Sequence, residues 1–410
     1  MKRELFTKDF TLLVLGQAFS LAGGYVLRFA LSMYVLELTG SAGVFAGMLA
    51  AAMLPTILLS PLGGVLADRC DRRRLMVLSD ALAGAAALLA LPALEAFGGT
   101  GTAAGLLILL SVLGAFESPV VQAALPQLHS GENILRGNAV INQVAALAGL
   151  AAPFLGSLLY AALGLGPVLL GAGLCFLLTA LLERFIRLAK LPGRAREGGL
   201  LGTLYGDLAE SLHFLRREER DVLRLLLLAA LVSFFAAGAA LVGFPYLVRE
   251  VLGLTAELYG AAESALGAAA LLGALAAGVF GPRLRRRQLL ISAFGLSLLP
   301  AGAAFLLPLG AIARYLVLTA AFFAGQLCCS LYSVLAVSMI QQRTPEQLTG
   351  KVMALTSTIA MCAQPLGQLA YGALFDLVGN EAELILLPTG LALLLLGLRP
   401  CFTNPGRVLK

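Results

Sequence analysis

The sequence predicts an all-α polytopic membrane protein, with twelve transmembrane helices in two six-helix, pseudo-repeated halves. Three observations carry that prediction. The first is composition: 59% of the 410 residues are hydrophobic and 13% charged, with a mean hydropathy of +0.91, whereas a soluble domain is about a quarter charged. So little charge cannot cover a surface facing water, but a surface facing lipid needs none. The second is spacing. Apolar runs of about 20 residues, the length that crosses the hydrocarbon core, recur between short charged or Gly- and Pro-bearing breaks. The third is an internal repeat. Gly64, Arg69, Arg72 and Arg73 return as Gly278, Arg283, Arg286 and Arg287, each 214 residues further on. Leu135-Arg136-Gly137-Asn138 corresponds to Leu348-Thr349-Gly350-Lys351, and Pro153 and Tyr160 to Pro365 and Tyr371. Two repeated six-span halves are the pattern of a transporter that rocks around a site between them.

Span one, 10–36, follows Lys2, Arg3 and Lys8 and is too long for a cleaved signal segment. Spans two and three, 43–66 and 75–94, flank the densely charged stretch from Gly63 to Leu75. Those charges cannot sit in hydrocarbon without large cost, so the stretch lies at a membrane surface. Spans four (103–124, with Pro119 inside), five (138–162) and six (167–186) complete the N-terminal half, 1–187. Residues 188–221 read as a cytosolic linker. It starts basic and Gly-rich, then carries Leu200, Leu204, Leu208 and Leu212 at helical spacing, as an amphipathic helix on the inner membrane surface would. The C-terminal half, 222–410, holds spans at 222–246, 258–280, 288–307, 315–338, 351–377 and 383–398.

All but three of the 29 Lys and Arg fall on the side of the termini, the exceptions being Arg28, Arg249 and Arg314. Basic loops stay inside, so both termini are expected in the cytosol and the protein in the plasma membrane. The net charge of +6 thus reflects topology, and no nucleic acid is expected as partner. Six cysteines, none in an external loop, predict no structural disulfide. Two histidines, His129 and His213, with no paired-cysteine spacing, give no metal signature. No Gly-x-x-x-x-Gly-Lys-Ser/Thr loop is present, so the chain carries no ATP motor and no cofactor is expected. A membrane-embedded enzyme would want His, Asp or nucleophile residues clustered at one depth, and none stand out.

Several motifs carry a resemblance. Gly64-Val65-Leu66-Ala67-Asp68-Arg69-Cys70-Asp71-Arg72-Arg73 is similar to the major facilitator superfamily signature between spans two and three, with Asp71 where Gly is usual. Three further segments resemble the drug:proton antiporter branch that includes macrolide-efflux and enterobactin-exporter-like proteins. They are Leu36-Glu37-Leu38-Thr39-Gly40-Ser41, Phe116-x-x-Pro119 with Ala124-x-Pro126, and Gln342-Arg343-Thr344-Pro345 through Gly350-Lys351-Val352. Ala152-Pro153-Phe154-Leu155-Gly156-Ser157 resembles the antiporter Gly-Pro-x-x-Gly-Gly run, with Ala152 and Ser157 at Gly positions. Span four lacks the Arg that many antiporters carry there. The resemblance implies the major facilitator fold and proton-coupled efflux of lipophilic or amphipathic small molecules, drug- or macrolide-like, by alternating access. The alternatives are a siderophore or metabolite exporter, or a solute importer of the same fold; an embedded enzyme or a non-transporting sensor lies further off. The implied partners are a small-molecule substrate, protons and the lipid bilayer, with the chain acting as a monomer.

Ionisable groups at membrane depth are functional candidates because they are costly to keep there. Glu117, two residues before Pro119, is the first candidate for a group that loses and regains a proton as a cavity opens to each side. The plain alternative is a carboxyl satisfied by Gln122 or by backbone freed at Pro119. Arg28 on span one and Glu263 on span eight lie at similar depth, as an ion pair closing the outer side would, and join Glu117 as proton-coupling candidates. Spans one, four, seven and ten line the cavity in the superfamily. The resemblance therefore implies Gln17 and Gln326 as substrate contacts, beside the plain alternative of helix–helix hydrogen bonds. Phe234, Phe235, Phe322 and Phe323 are candidates for an apolar cavity wall, or for packing. Gly43-x-x-x-Gly47 reads as close helix packing.

Gly64, Asp68, Arg69, Arg72 and Arg73 form the candidate conformational latch. The counterpart of Asp68 is Pro282, so the acid exists in one half only. Span eleven begins near Lys351 on the same face, and a helix N-terminus offers partial positive charge to a carboxylate. The resemblance implies the same role, Asp68 and Arg69 latching the halves while the inner side is closed.

Overall fold

A computed structural model describes residues 5–129, 132–188, 220–281, 284, 288–344 and 346–398. Among these residues the chain is helical with no strand, and the expected spans appear in order. In the first half they are α1 (Lys8–Thr39), α2 (Ala42–Arg69), α3 (Arg72–Phe97), α4 (Gly99–Leu128), α5 (Glu132–Leu163) and α6 (Leu165–Arg184). In the second they are α7 (Arg220–Ala236), α8 (Ala256–Phe280), α9 (Leu289–Leu306), α10 (Ala311–Arg343), α11 (Glu346–Val378) and α12 (Leu386–Leu398). Among the described residues ten helices are long and apolar enough to cross a membrane. Leu58, Leu89, Leu174, Leu275 and Leu377 are each more than 60% exposed. Helices can present such side chains to lipid because they satisfy every backbone polar group internally. The amphipathic helix expected at 200–212 and the repeat arginines at 283–287 lie outside the described residues.

Two departures from the expected helices have local causes. Span seven does not end at 246: α7 runs on through π-helical turns at Ala237–Gly243 and Leu247–Val251, separated by Phe244–Tyr246. Pro245 has no N–H to continue an α-helical ladder. Gly238 lies against the Tyr371 ring and Gly243 against the Phe375 ring, closer than a Cβ would allow. A π turn is the wider coil that appears where an α-helix is interrupted in this way. Before α12 the chain makes a 3-10 turn, Gly379–Ile385, entered through Gly379 at φ +59°, so the last helix starts later than predicted.

The chain divides into two compact units. Unit 1 comprises Met1–Gly40, Met48–Arg196 and Thr255–Ser264; unit 2 comprises Ser41–Gly47, Glu197–Leu254 and Ala265–Lys410. In unit 1, α1 packs on α4, α5 and α6, and α3 packs on α4 and α6. Its core at one end gathers Phe10, Leu13, Met76, Val120, Leu125 and Ile186. In unit 2, α9 packs on α10 and α12, and α7 packs on α10 and α11.

The charged stretch after α2 turns without a left-handed residue. Asp71 sits in extended backbone as the N-cap of α3 and accepts from Arg74 N at 3.3 Å. That gives a physical use to the acid standing where glycine is usual, since Asp is among the best N-caps.

A second capping acid comes from elsewhere in the chain. In unit 2, Asp376 of α11 accepts from Ser41 Oγ at 2.6 Å, Ala42 N at 2.8 Å and Gly43 N at 3.0 Å, while Ser41 Oγ accepts from Val44 N at 3.1 Å. One carboxylate thus satisfies orphan donors of the first turn of α2, where negative charge is favoured. Gly43 and Gly372 make the approach possible, since a Cβ on Gly372 would press on Ala46 and the Ala42 carbonyl; Gly47 has open space beside it. Asp376→Ala is expected to lower thermal stability by about 1–2 kcal/mol. Ser41→Ala, which leaves both backbone bonds in place, should cost less; equal losses in thermal melts of the purified variants would contradict this.

Candidate functional site

Unit 1 buries three carboxyl groups together. Glycine contacts draw α6, which carries one of them, close to α1 and α3. On α1, Gly16 lies against Thr179 and Glu183 of α6, and Gly23 against Cys175 of α6; on α3, Gly84 lies against Leu177 and the Gly173 carbonyl of α6. The buried Thr179 hydroxyl donates to the Gly16 carbonyl at 3.0 Å. With α6 drawn onto both α1 and α3, Asp80 of α3 and Glu183 of α6 meet in the interior, each fully buried. Ser20 Oγ donates to Asp80 Oδ1 at 2.9 Å, and Gln17 Nε2 donates to Glu117 Oε1 of α4 at 3.2 Å. The carboxyls of Asp80 and Glu183 are within hydrogen-bond reach of each other, and Glu117 is close enough to act on both electrostatically.

Depth follows from helix length. Gly16 and Asp80 are each eight residues from the start of their helices, which places both about 12 Å inward at 1.5 Å per residue. Glu183 shares that level although it is the penultimate residue of α6, because α6 ends short of α1. The chain beyond it continues down to Arg187, whose N–H donates to Asp9 in the first turn of α1 at 3.1 Å.

Chemically, three carboxyls in a dry interior cannot all be charged without a cation, because like charges at this range oppose one another. The electrostatic neighbours of the trio are its own members with Ser20 and Gln17, and Arg28 has Tyr25 as its neighbour instead. Among the described residues no set of three His, Cys, Asp or Glu side chains is arranged to hold a metal ion. What the arrangement can hold is protons.

The structure treats the sequence candidates unevenly. Gln17 and Glu117, singled out separately, are hydrogen-bond partners, so the Gln17 amide is already engaged with an acid. The partner of Glu117 is therefore neither Gln122, which donates to Ser118 at 3.5 Å, nor backbone at Pro119. Arg28 and Glu263 form no ion pair. Glu263 takes a hydrogen bond from Tyr259, which stacks on Phe29 with ring centroids 5.5 Å apart, and Glu263 Oε2 has no partner. In unit 2, Phe322 is buried against Phe244 (centroids 5.0 Å apart), and Phe234 stands edge-on to Phe235 and Tyr371. Phe235, Phe323 and Gln326 are half-buried.

In the charged stretch, Arg72 Nη1 donates to the Ala123 carbonyl of α4 at 2.8 Å, Arg73 is half-buried, and Arg74 pairs with Asp71 at 3.5 Å. For Gly64, Asp68 and Arg69 only the helical backbone at the end of α2 is described.

Asp80 and Glu183 went unremarked in the sequence. Each lies near the end of its apolar run and passes for an interfacial charge, Glu183 all the more so beside Arg184. The available signal was the pair Ser79-Asp80, two polar residues one turn inside a run that is otherwise apolar.

Comparison with known proteins agrees with this architecture. Residues 13–368 match the model of the Major Facilitator Superfamily. Macrolide efflux protein A of Streptococcus pyogenes is 26% identical over 376 residues, covering 89% of this chain and 88% of that protein. The multidrug efflux pump Tap of Mycolicibacterium fortuitum is 30% identical over 398 residues, covering 93% and 92%. Among solved structures, a D-xylose-proton symporter superposes with a TM-score of 0.68 at 13% identity, covering 96% of this chain and 97% of that one. With a family match over most of its length and the helical repeat of a transporter, this chain is a multi-pass membrane protein of the major facilitator superfamily and a transporter rather than an enzyme.

Proposed function

We propose that the chain is a proton-coupled exporter of lipophilic or amphipathic small molecules, working by alternating access from the plasma membrane with both termini in the cytosol. Export is supported by the relatives named above, a macrolide efflux protein and a multidrug efflux pump. Coupling to protons is supported by one observation above others, the Gln17–Glu117 pair beside two further buried carboxyls. An acid at membrane depth with a neutral partner and no cation among its described neighbours holds or releases a proton according to which side its surroundings open to. Gln326, Phe235 and Phe323 are the candidates left free to meet substrate, and Asp68 with Arg69 is the proposed inner latch. Glu263, bonded to Tyr259, and Arg28 remain candidate members of the coupling machinery.

The test is uptake into inside-out vesicles of macrolides, lipophilic cations and siderophores, with and without an imposed proton gradient. Gradient-driven accumulation of macrolides or lipophilic cations is the expected result. Movement indifferent to the gradient would contradict proton coupling, and accumulation of siderophores alone would contradict the substrate class.

A further inference from the structure

The role proposed for Glu117 leaves Asp80 and Glu183 unused. Both are fully buried, and their carboxyls face each other. Asp80 Oδ1 is satisfied by Ser20, but Asp80 Oδ2 and both oxygens of Glu183 have no donor. Buried acceptors without donors are rare in native structures, and each calls for an explanation. Here the neighbours supply none. Among the described residues, the titratable group facing the pair is Glu117 from α4. The polar neighbours are Ser20 from α1, which donates to Asp80, and Thr179 from α6, whose hydroxyl is committed to the Gly16 and Cys175 carbonyls. Arg28, on α1, neighbours Tyr25 and not the acids.

A proton shared between the two carboxyls supplies a donor. Placed on Glu183, it makes one oxygen an O–H that Asp80 Oδ2 accepts, which satisfies two of the three orphan oxygens and removes one of two opposed charges. We infer that Asp80 and Glu183 hold a shared proton and form a second proton-carrying site, next to Glu117, in the transport cycle. This rests on the proton-coupled reading of the chain. The only bond made or broken is a carboxyl O–H, the proton coming from and returning to water on the side to which the site opens. Because a charge on Glu117 opposes a charge on the pair, the two sites load and unload in a set order and not independently.

The experiment pairs infrared spectroscopy of the purified protein with vesicle transport. Wild type at neutral pH is expected to show the C=O stretch of protonated carboxyls, one component of which is lost in Glu183→Gln and shifted in Asp80→Asn. In vesicles, Glu183→Gln is expected to displace the pH profile of gradient-driven transport by roughly a pH unit, whereas a merely structural role would lower the rate without moving the profile. Absence of the band from wild type overturns the inference without requiring any variant to fold. Gradient-driven transport whose pH profile and full band both survive Glu183→Gln overturns the shared proton alone. Transport by wild type that ignores the gradient overturns the coupled reading itself.

Discussion

Glu117→Gln is expected to reduce proton-driven transport to the level of vesicles lacking the protein, while exchange of substrate across the membrane without a gradient continues. Glutamine has the size of glutamate, and its amide oxygen can still accept the bond from Gln17 Nε2 now made to Glu117 Oε1. The helix contact between α1 and α4 is therefore kept and only the ability to carry a proton is lost. A residue serving just to hold α4 on α1 would lose neither activity on this substitution. Equal loss of driven transport and exchange would indicate a fold defect, and retention of driven transport would remove Glu117 from the coupling step.

The second large effect concerns stability. In unit 2, α9 and α12 touch backbone to backbone: Gly295 lies against the Gly390 carbonyl and Leu394 N, Gly302 against Leu387, and Gly397 against Ser292. Small residues let membrane helices approach this closely, and packing then replaces the hydrophobic drive that lipid does not supply. No flexible side chain is present at Gly295 to move aside. Gly295→Val is expected to cost more than the usual 1–3 kcal/mol or so of overpacking and to leave little monodisperse protein in detergent. Gly171→Ala is the control, because nothing lies within 4 Å of its added methyl and alanine is favoured over glycine in a helix by about 1 kcal/mol. Normal melting of Gly295→Val in size-exclusion and thermal assays would contradict the close-contact reading.

Much of the architecture was legible in the sequence because hydrocarbon imposes a length and a polarity on each span. Charges at 69–74 and the Gly40-Ser41 break mark boundaries that the helices keep within a few residues. The π-helical course of α7 was not legible, since it depends on Tyr371 and Phe375, more than a hundred residues away, pressing on Gly238 and Gly243. Nothing in the sequence around Asp376 marks it as the cap of α2, a contact that packing makes between segments more than 300 residues apart.

The site shows the same division. Glu117 was recognisable because it lies in the middle of an apolar run beside a proline. Asp80 and Glu183 were not, because distance from the end of a helix in sequence is a poor measure of depth when one helix stops short. Glu183 ends α6 at the level of Gly16, well inside α1, and only the assembled bundle reveals that it is interior. Arg28 and Glu263 illustrate the opposite error. Matching depth suggested a pair, but Tyr259 supplies Glu263 with a neutral partner instead.

The most direct test of the central idea, that outward movement of substrate is exchanged for protons at this carboxyl cluster, is proton release on substrate binding. The purified protein in weakly buffered detergent solution would receive the macrolide or lipophilic cation that wild-type vesicles accumulate, with pH followed by an indicator dye. The expected result is release of protons from wild type, diminished in Glu117→Gln. No release from wild type, or the same release from Glu117→Gln, would contradict it.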